Sequence, residues 1–352
     1  MTIIVPTYDR AGLLGETIDS VLAQDYDDLE LLVLDDGSTD STPALLRHYA
    51  ARHPRERFRW ERHDNIGQAR TLNRGFELAR GDVLGYLSSD DLLLPGAVRK
   101  LARALMPPDV ALAYPAYQVI DERGDVVETM LPPEYSTAEA LRLHNCIVHV
   151  GALYKRSVVE QVGGWDPQFT NVADLDWCLR ASATGRFVRI AEPLACWRRH
   201  PDSANFAPGL DAAREQPALL DKFYGRDDVP DELLAVRDEA YRNAHFVAAQ
   251  MMGGFNRRGS RFYAYDRLAR TVAGEGAERD GETILRLRLR AAELEERQEH
   301  LQRTLSQHRE RIRRLETTLA ESSRGRLKRM ARALTPARLR PRLRALYERA
   351  QR

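Results

Sequence analysis

Apolar positions in the first hundred residues fall into short runs that end in polar clusters. TIIVPTY, residues 2–8, is a continuous apolar run too short for a helix and is interrupted at Pro6, which predicts a buried strand. AGLLGETIDSVLAQ then places Leu14, Ile18, Val21 and Leu22 at helical spacing. LELLVLDDGS repeats the strand pattern and ends in Asp35 and Asp36. A helix restarts in STPALLRHYAAR, with Ser41 or Thr42 as N-cap and Pro43 in the first turn. IGQARTLNRGFELAR, closed by Gly81, predicts a further helix, and DVLGYLSS a third strand that delivers Asp90 and Asp91. Strands alternating with helices predict an α/β domain.

Residues 110–200 are less regular. VALAYPAYQVI and ERGDVVETM read as strands flanking a turn at Gly124, DLDWCLRASATG as a helix, and RFVRIAEPLACWRRH as one or two strands. From about Leu210 to Ala273 the chain turns helical. Beyond Gly281, apolar residues step by three and four from Ile284 and Leu287 to Leu315 and Leu319. Such a seam predicts a coiled coil, with Gln298 and His308 as polar seam positions that fix register. The expected division is therefore a catalytic-type α/β domain over 1–209, a helical extension over 210–280, a coiled coil over 281–321 and a basic tail over 322–352.

Composition narrows the class. Of 352 residues, 43% are hydrophobic and 30% charged, the balance of a chain with a sizeable core. No apolar run approaches the ~18–20 residues of a membrane span, and MTIIVPTYDR enters strand-like sequence without the basic leader of a signal peptide. Cys146, Cys178 and Cys196 are odd in number and lack CxxC spacing, so neither a disulfide framework nor a zinc site is expected. A cytoplasmic setting follows. The net charge of +1 hides a split: residues 324–352 hold eleven Lys or Arg against Glu348, a charge of +10, which leaves −9 elsewhere. An acidic body argues against a nucleic-acid binder.

Three predicted strands end in polar clusters, PTYDR, DDGSTD and SSDD. Ligands of an open α/β sheet sit at the carboxyl ends of its strands, so these clusters are expected to share one crevice. Carboxylates gathered there repel one another, and a divalent cation relieves the cost. Each cluster alone also reads as ordinary capping: DDGSTD makes a turn followed by helix caps, and SSDD before LLLPGAV caps a helix equally well.

Taken in order, the clusters resemble family 2 glycosyltransferases of the GT-A fold. VPTYDR is similar to that family's opening strand and nucleotide loop, and LELLVLDDGSTD to its second strand. NIGQARTLNRGFELARGDVLGYLSSDD resembles the Asn-Gly helix and the strand leading to the metal-binding DxD motif. VGALYKRSVVEQVGGWDPQF, ADLDWCLRAS and CWRRHPDSAN resemble the acceptor-side segment, the helix bearing the catalytic base and the Arg-x-His segment over the diphosphate. The resemblance covers roughly residues 1–205. It implies a mixed sheet flanked by helices, a nucleoside diphosphate-sugar donor and a Mg²⁺ or Mn²⁺ cofactor.

Residue by residue, it implies a nucleotide-sugar site of Pro6, Thr7, Tyr8, Asp35, Asp36, Asn65, Asp90 and Arg199. Asp90, Asp91 and His200 are the implied metal ligands, Trp165 and Asp166 the acceptor contacts, and Asp174 the base of an inverting transfer. Two positions depart from the pattern: Ser88 replaces the first DxD aspartate, and Ala173 replaces the Glu before the base. On residue type alone, Asp174 reads as a helix cap, His200 as a surface histidine, and Trp165 and Trp177 as core. Asp176 reads as structural or acceptor-binding.

The tail carries apolar stripes, Leu327, Met330 and Leu334, then Leu339, Leu343, Leu346 and Tyr347, with arginines between. It reads either as peripheral contact with anionic lipid at the inner membrane face or as the solvated end of the coiled coil. The first suits a lipid-linked saccharide acceptor, and the coiled coil implies a homo-oligomer. UDP heads the expected nucleotides, ahead of dTDP and GDP. Two rivals remain. A nucleotidyltransferase needs a Gly-rich basic loop that PTYDRAGLLGET lacks, and a non-catalytic nucleotide-sugar scaffold has no need of Asp90, Asp174 and His200 together.

Overall fold

A computed structural model of the chain describes residues 1–143, 148, 150–200 and 210–253. The predicted coiled coil and basic tail, the extension beyond 253, and Cys146 lie outside the described residues. The strands are β1 (Thr2–Thr7), β2 (Glu30–Asp35), β3 (Phe58–Arg62), β4 (Val83–Tyr86), β5 (Leu92–Leu93), β6 (Val110–Ile120), β7 (Val126–Met130), β8 (Leu153–Lys155) and β9 (Arg186–Arg198). Before β6 lie helices α1 (Ala11–Leu22), α2 (Thr42–Ala50), α3 (Gln68–Leu78) and α4 (Ala97–Ala104). After β7 come α5 (Thr137–Leu143), α6 (Arg156–Val162), α7 (Ala173–Ala181), α8 (Leu210–Tyr224), α9 (Asp231–Leu234) and α10 (Arg237–Gly253).

The strands form one sheet in the order β3-β2-β1-β4-β8-β6-β9-β5, with β7 paired to β6. β3, β2, β1 and β4 run parallel, whereas β8 is antiparallel to β4 and β6. This is the mixed sheet with flanking helices that the resemblance implied.

Both faces are covered, which explains why β1 and β2 read as unbroken apolar runs rather than alternating ones. Ile4, Leu32 and Leu34 face Leu72 and Phe76 of α3, in a core that also takes Leu175 and Leu179 of α7 and Leu219, Leu220 and Ala240 from the helices beyond residue 210. Ile3, Val5, Leu31 and Val33 face Leu14, Ile18 and Val21 of α1, Leu46 of α2 and Val98 of α4. The helices from 210 onward thus share a core with the sheet.

Two readings of the sequence need amendment. DVLGYLSS forms the fourth strand, because FRWER forms β3 at the sheet edge, where one face stays half-open and the apolar signal is weak. SSDD caps no helix: Leu92 and Leu93 pair with Cys196 and Ala195 of β9, and α4 starts after Gly96 in the left-handed conformation. RFVRIAEPLACWRRH is one long strand whose register against β6 shifts at Pro115 to Tyr117. The hairpin turn at Gly124 (φ +88°) is as expected.

Candidate functional site

Because β1, β2 and β4 are parallel neighbours, their carboxyl ends open to the same side, onto one cleft of about 390 Å³. Pro6, Thr7 and Tyr8 line it from the end of β1, and Asp36 from the end of β2. Asn65, Gln68 and Thr71 line it around the start of α3, Ser88, Ser89 and Asp90 after β4, and Trp197 from β9. The three polar clusters do converge.

The Asp36 carboxylate organises one end. Its oxygens accept the amides of Ile66 at 2.7 Å and Gly67 at 3.0 Å, fixing the loop that carries Asn65. Gly37 permits the approach, for it has φ +80° and a Cβ there would stand 2.9 Å from the Asn65 nitrogen. Asp35 is fully buried, takes the Ser38 amide at 2.9 Å and lies near Arg62, so it braces the turn from beneath. Thr7 and Thr71, both buried and both lining the cleft, have hydroxyls with no hydrogen-bond partner among the described residues. Such groups normally cost about 1–3 kcal/mol when left unpaired.

At the other end His200 Nε2 and Asp90 Oδ2 are 2.9 Å apart. Asp91 is turned inward, is 4% exposed, and accepts the Arg198 amide at 2.9 Å. Burial, with the Asp90 charge beside it, pushes the Asp91 carboxyl well above the usual carboxylate range. Of the three expected metal ligands, the structure pairs two and buries the third. Among the described residues no group of three or more His, Cys, Asp or Glu is arranged to hold a metal. The Asp90 carboxylate nonetheless fits Mg²⁺ or Mn²⁺, ions suited to carboxylate oxygens; Mg²⁺ is commonly held by one or two protein carboxylates together with substrate phosphates.

Arg198 was not singled out in sequence, although Arg-x-His spacing to His200 selects it over Arg199. Its guanidinium is fully buried and donates to the carbonyls of Asp90 (3.0 Å), Asp121 and Glu122 (both 3.3 Å), and to Glu16. It ties the strand-end loop to α1 and the β6–β7 turn. Arg199 instead pairs with Glu128 at 3.6 Å and stacks over Trp197, and it does not line the cleft.

A smaller pocket lies beside the cleft, lined by Tyr86, Tyr154, Trp165, Trp177 and Asp174. Tyr86 links the two through its partners: its hydroxyl receives a hydrogen bond from Gln68 Nε2 at 2.6 Å and stands 2.9 Å from Ser88 Oγ, and both partners line the main cleft. Burial, outweighing the Ser88 bond, pushes the Tyr86 hydroxyl pKa up, and the carboxylates of Asp91, Asp90 and Asp174 add to it. Asp174 is the second residue of α7, inside its first turn, and accepts the Leu175 amide at 2.8 Å. The helix N-terminus favours its negative charge there.

Trp165 is anchored by its backbone. Asn73 of α3 accepts its N–H and donates to its C=O, both at 2.7 Å, and a Cβ on Gly164 would fall 2.1 Å from Asn73 Oδ1. The Trp165 ring meets Tyr86 edge-on, with centroids 5.2 Å apart. The Asp166 carboxylate is engaged by Lys222 and Gln168. Trp177 donates to the Gly163 carbonyl at 3.0 Å, tying α7 to the same turn.

Among the described residues no helix is long and apolar enough to cross a membrane. Residues 2–163 match the Glycosyl transferase family 2 model. Chondroitin synthase of Escherichia coli is 31% identical over 202 residues, which are 56% of this chain and 28% of that protein, so the chain spans little more than a quarter of that relative. S. aureus TarS 1-349, solved in complex with UDP-GlcNAc, superposes with TM-score 0.59 at 15% identity over 77% of this chain and 81% of that one. The mannosyltransferase PcManGT from Pyrobaculum calidifontis, solved with GDP-Man and Mn²⁺, gives TM-score 0.51 at 18% identity over 83% and 85%. At these identities the two structures establish the fold alone. The family match takes in β1 to α6, and with them the strand ends that line the cleft. On that match, residues 2–163 belong to glycosyl transferase family 2.

Proposed function

We propose that this chain moves a sugar from a nucleoside diphosphate-sugar to a hydroxyl of a saccharide or lipid-linked saccharide, with inversion at the anomeric carbon. The observation that carries this reading is the cleft itself: three strand ends meet around buried Thr7 and Thr71 hydroxyls that have no partner among the described residues. A polar ligand with many acceptors and donors, such as a nucleotide, meets that need.

In this reading Asp36 and Asn65 hold the nucleotide end, with UDP the first candidate, and Pro6, Thr7 and Tyr8 form its wall. Asp90 and His200 would hold a divalent cation, which would supply Lewis-acid charge against the diphosphate leaving group. Arg198 keeps the Asp90 backbone in place beneath it. Asp174, across Tyr86 from the cleft, takes the proton of the acceptor hydroxyl as the new bond forms. Trp165 offers its ring to the acceptor sugar. The nucleotide sugars bound by the TarS and PcManGT structures support the donor class, and the relation to chondroitin synthase supports a glycan acceptor.

Calorimetric titration of UDP, dTDP and GDP into the full chain, with and without Mn²⁺, tests the reading. Metal-dependent binding of one nucleotide, lost in Asp90→Ala, is expected. Binding indifferent to both metal and mutation would refute it.

A further inference from the structure

α8 lies outside the family match, yet it holds the segment that carries Asp174. Two side chains make the hold, Glu215 and Lys222, seven residues apart and therefore on one face of the helix. Glu215 spends both carboxylate oxygens on backbone: Oε1 accepts the Thr170 amide at 3.0 Å and Oε2 the Asn171 amide at 2.6 Å. Those residues lead directly into α7. Lys222 bridges two carboxylates, reaching Asp166 Oδ2 at 2.8 Å and Asp176 Oδ1 at 2.6 Å, and its ammonium stands 5.3 Å from the centre of the Phe169 ring.

The contacts bracket one stretch of chain. Asp166 begins it at the Gly-Gly-Trp-Asp turn, Thr170 and Asn171 are its middle, and Asp176 ends it one turn into α7, two residues past Asp174. Asp176 is 4% exposed, and Arg180 holds its second oxygen at 2.7 Å and 2.9 Å. A buried carboxylate with two cationic partners is fixed in place, and charge-assisted bonds of this kind are the strong ones. A loop whose amides are taken bidentately by a carboxylate has little freedom to shift. Leu219, Leu220 and Phe223, on the same helix, seat α8 in the core shared with Trp165, Leu175 and Trp177, so the clamp is mounted on a rigid element.

We infer that Glu215 and Lys222 are positioning residues: α8 sets the place of the 166–176 segment, and through it the place of Asp174 against the acceptor. The functional half of the inference rests on the glycosyl-transfer reading above. The structural half does not, and the two separate in one experiment. Lys222 and Glu215 touch neither the nucleotide cleft nor its lining, so removing them is expected to spare donor binding while disturbing the acceptor side.

Amide hydrogen exchange is measured on the full chain for the wild type, Glu215→Ala, the milder Glu215→Gln, Lys222→Ala and Lys222→Arg, beside UDP titration and UDP release from UDP-sugars. Exchange at Thr170 and Asn171 is expected to rise at least tenfold in Glu215→Ala and less in Glu215→Gln. Lys222→Ala is expected to loosen 166–176, with protection returning in Lys222→Arg. UDP affinity is expected to stay within twofold of wild type while turnover falls about tenfold. Unchanged exchange over 166–176 in both alanine variants would overturn the clamp, and faster exchange with wild-type turnover would overturn its positioning role. A wild-type chain that binds no UDP overturns the glycosyl-transfer reading and with it that role, whereas the exchange data still decide the clamp.

Discussion

His200 Nε2 approaches Asp90 Oδ2 to 2.9 Å, although the two residues are 110 positions apart in the chain. β9 brings them together, because its pairing with β5 lays the end of the strand against the loop that follows β4. Two potential ligands of different type therefore meet at one end of the cleft. Under the proposed function, replacing either removes half of the protein's share of a metal shell. Asp90→Ala is expected to weaken Mn²⁺-dependent nucleotide binding on the order of 100-fold, and His200→Ala on the order of 10-fold. Titration at fixed Mn²⁺ measures both, and wild-type affinity in the two variants would remove the pair from the site.

Asp174 separates chemistry from binding. Asp174→Asn keeps the size of the side chain and its bond to the Leu175 amide, but cannot take a proton at neutral pH. Turnover is expected to fall roughly 10²–10⁴-fold, the usual worth of a general base, with UDP affinity unchanged. Coupled detection of released UDP gives the first quantity and calorimetry the second. Retained turnover would return Asp174 to the role of a helix cap.

How far the site was legible depends on how each residue is held. Asp36 and Asp90 follow strand ends whose apolar runs are unmistakable, so their place in one cleft is readable from the pattern alone, whereas Asn65 follows the weakly apolar edge strand β3 and came only with the family resemblance. Asp91 and Arg199, also expected at the site, do not line the cleft. Adjacent carboxylates and adjacent arginines look equivalent in sequence, but of the two carboxylates only Asp90 lines the cleft, and neither Arg198 nor Arg199 does. Asp91 turns under the chain to the Arg198 amide, and Arg199 turns out to Glu128. β3 was missed because an edge strand buries one side, and α8 could not be linked to the site because Glu215 and Lys222 act on residues more than forty positions away. Charge pairing at such distance leaves no local pattern.

Arg198 predicts a stability effect. Its buried guanidinium satisfies three carbonyls and Glu16, and lysine cannot reproduce that fork. Each carbonyl left without its donor costs about 1–3 kcal/mol, partly recovered where the turn can open to water. Arg198→Lys is expected to lower unfolding free energy by about 2–4 kcal/mol. Urea denaturation reads this directly, and a loss below about 0.5 kcal/mol, the range of ordinary surface substitutions, would show that the clamp is dispensable.

The Asp166–Lys222 contact gives a pH signature. Burial raises the Asp166 carboxyl, but the Lys222 ammonium and two Gln168 donors outweigh it and bring its pKa down to about 2. A carboxylate depressed in the folded state contributes its stability in full above its ordinary pKa of 3.8 and loses it as pH falls through the folded value. The melting-temperature gap between wild type and Asp166→Asn is therefore expected to be constant from neutral pH to about 5, then to shrink toward pH 2. In a Lys222→Ala background the gap should be smaller at every pH and shrink less, because the main lowering partner is gone while Gln168 remains. A gap that holds steady down to pH 2 would mean that Lys222 is bound by Asp176 alone, and that the α8 clamp closes on one end of the 166–176 segment rather than both.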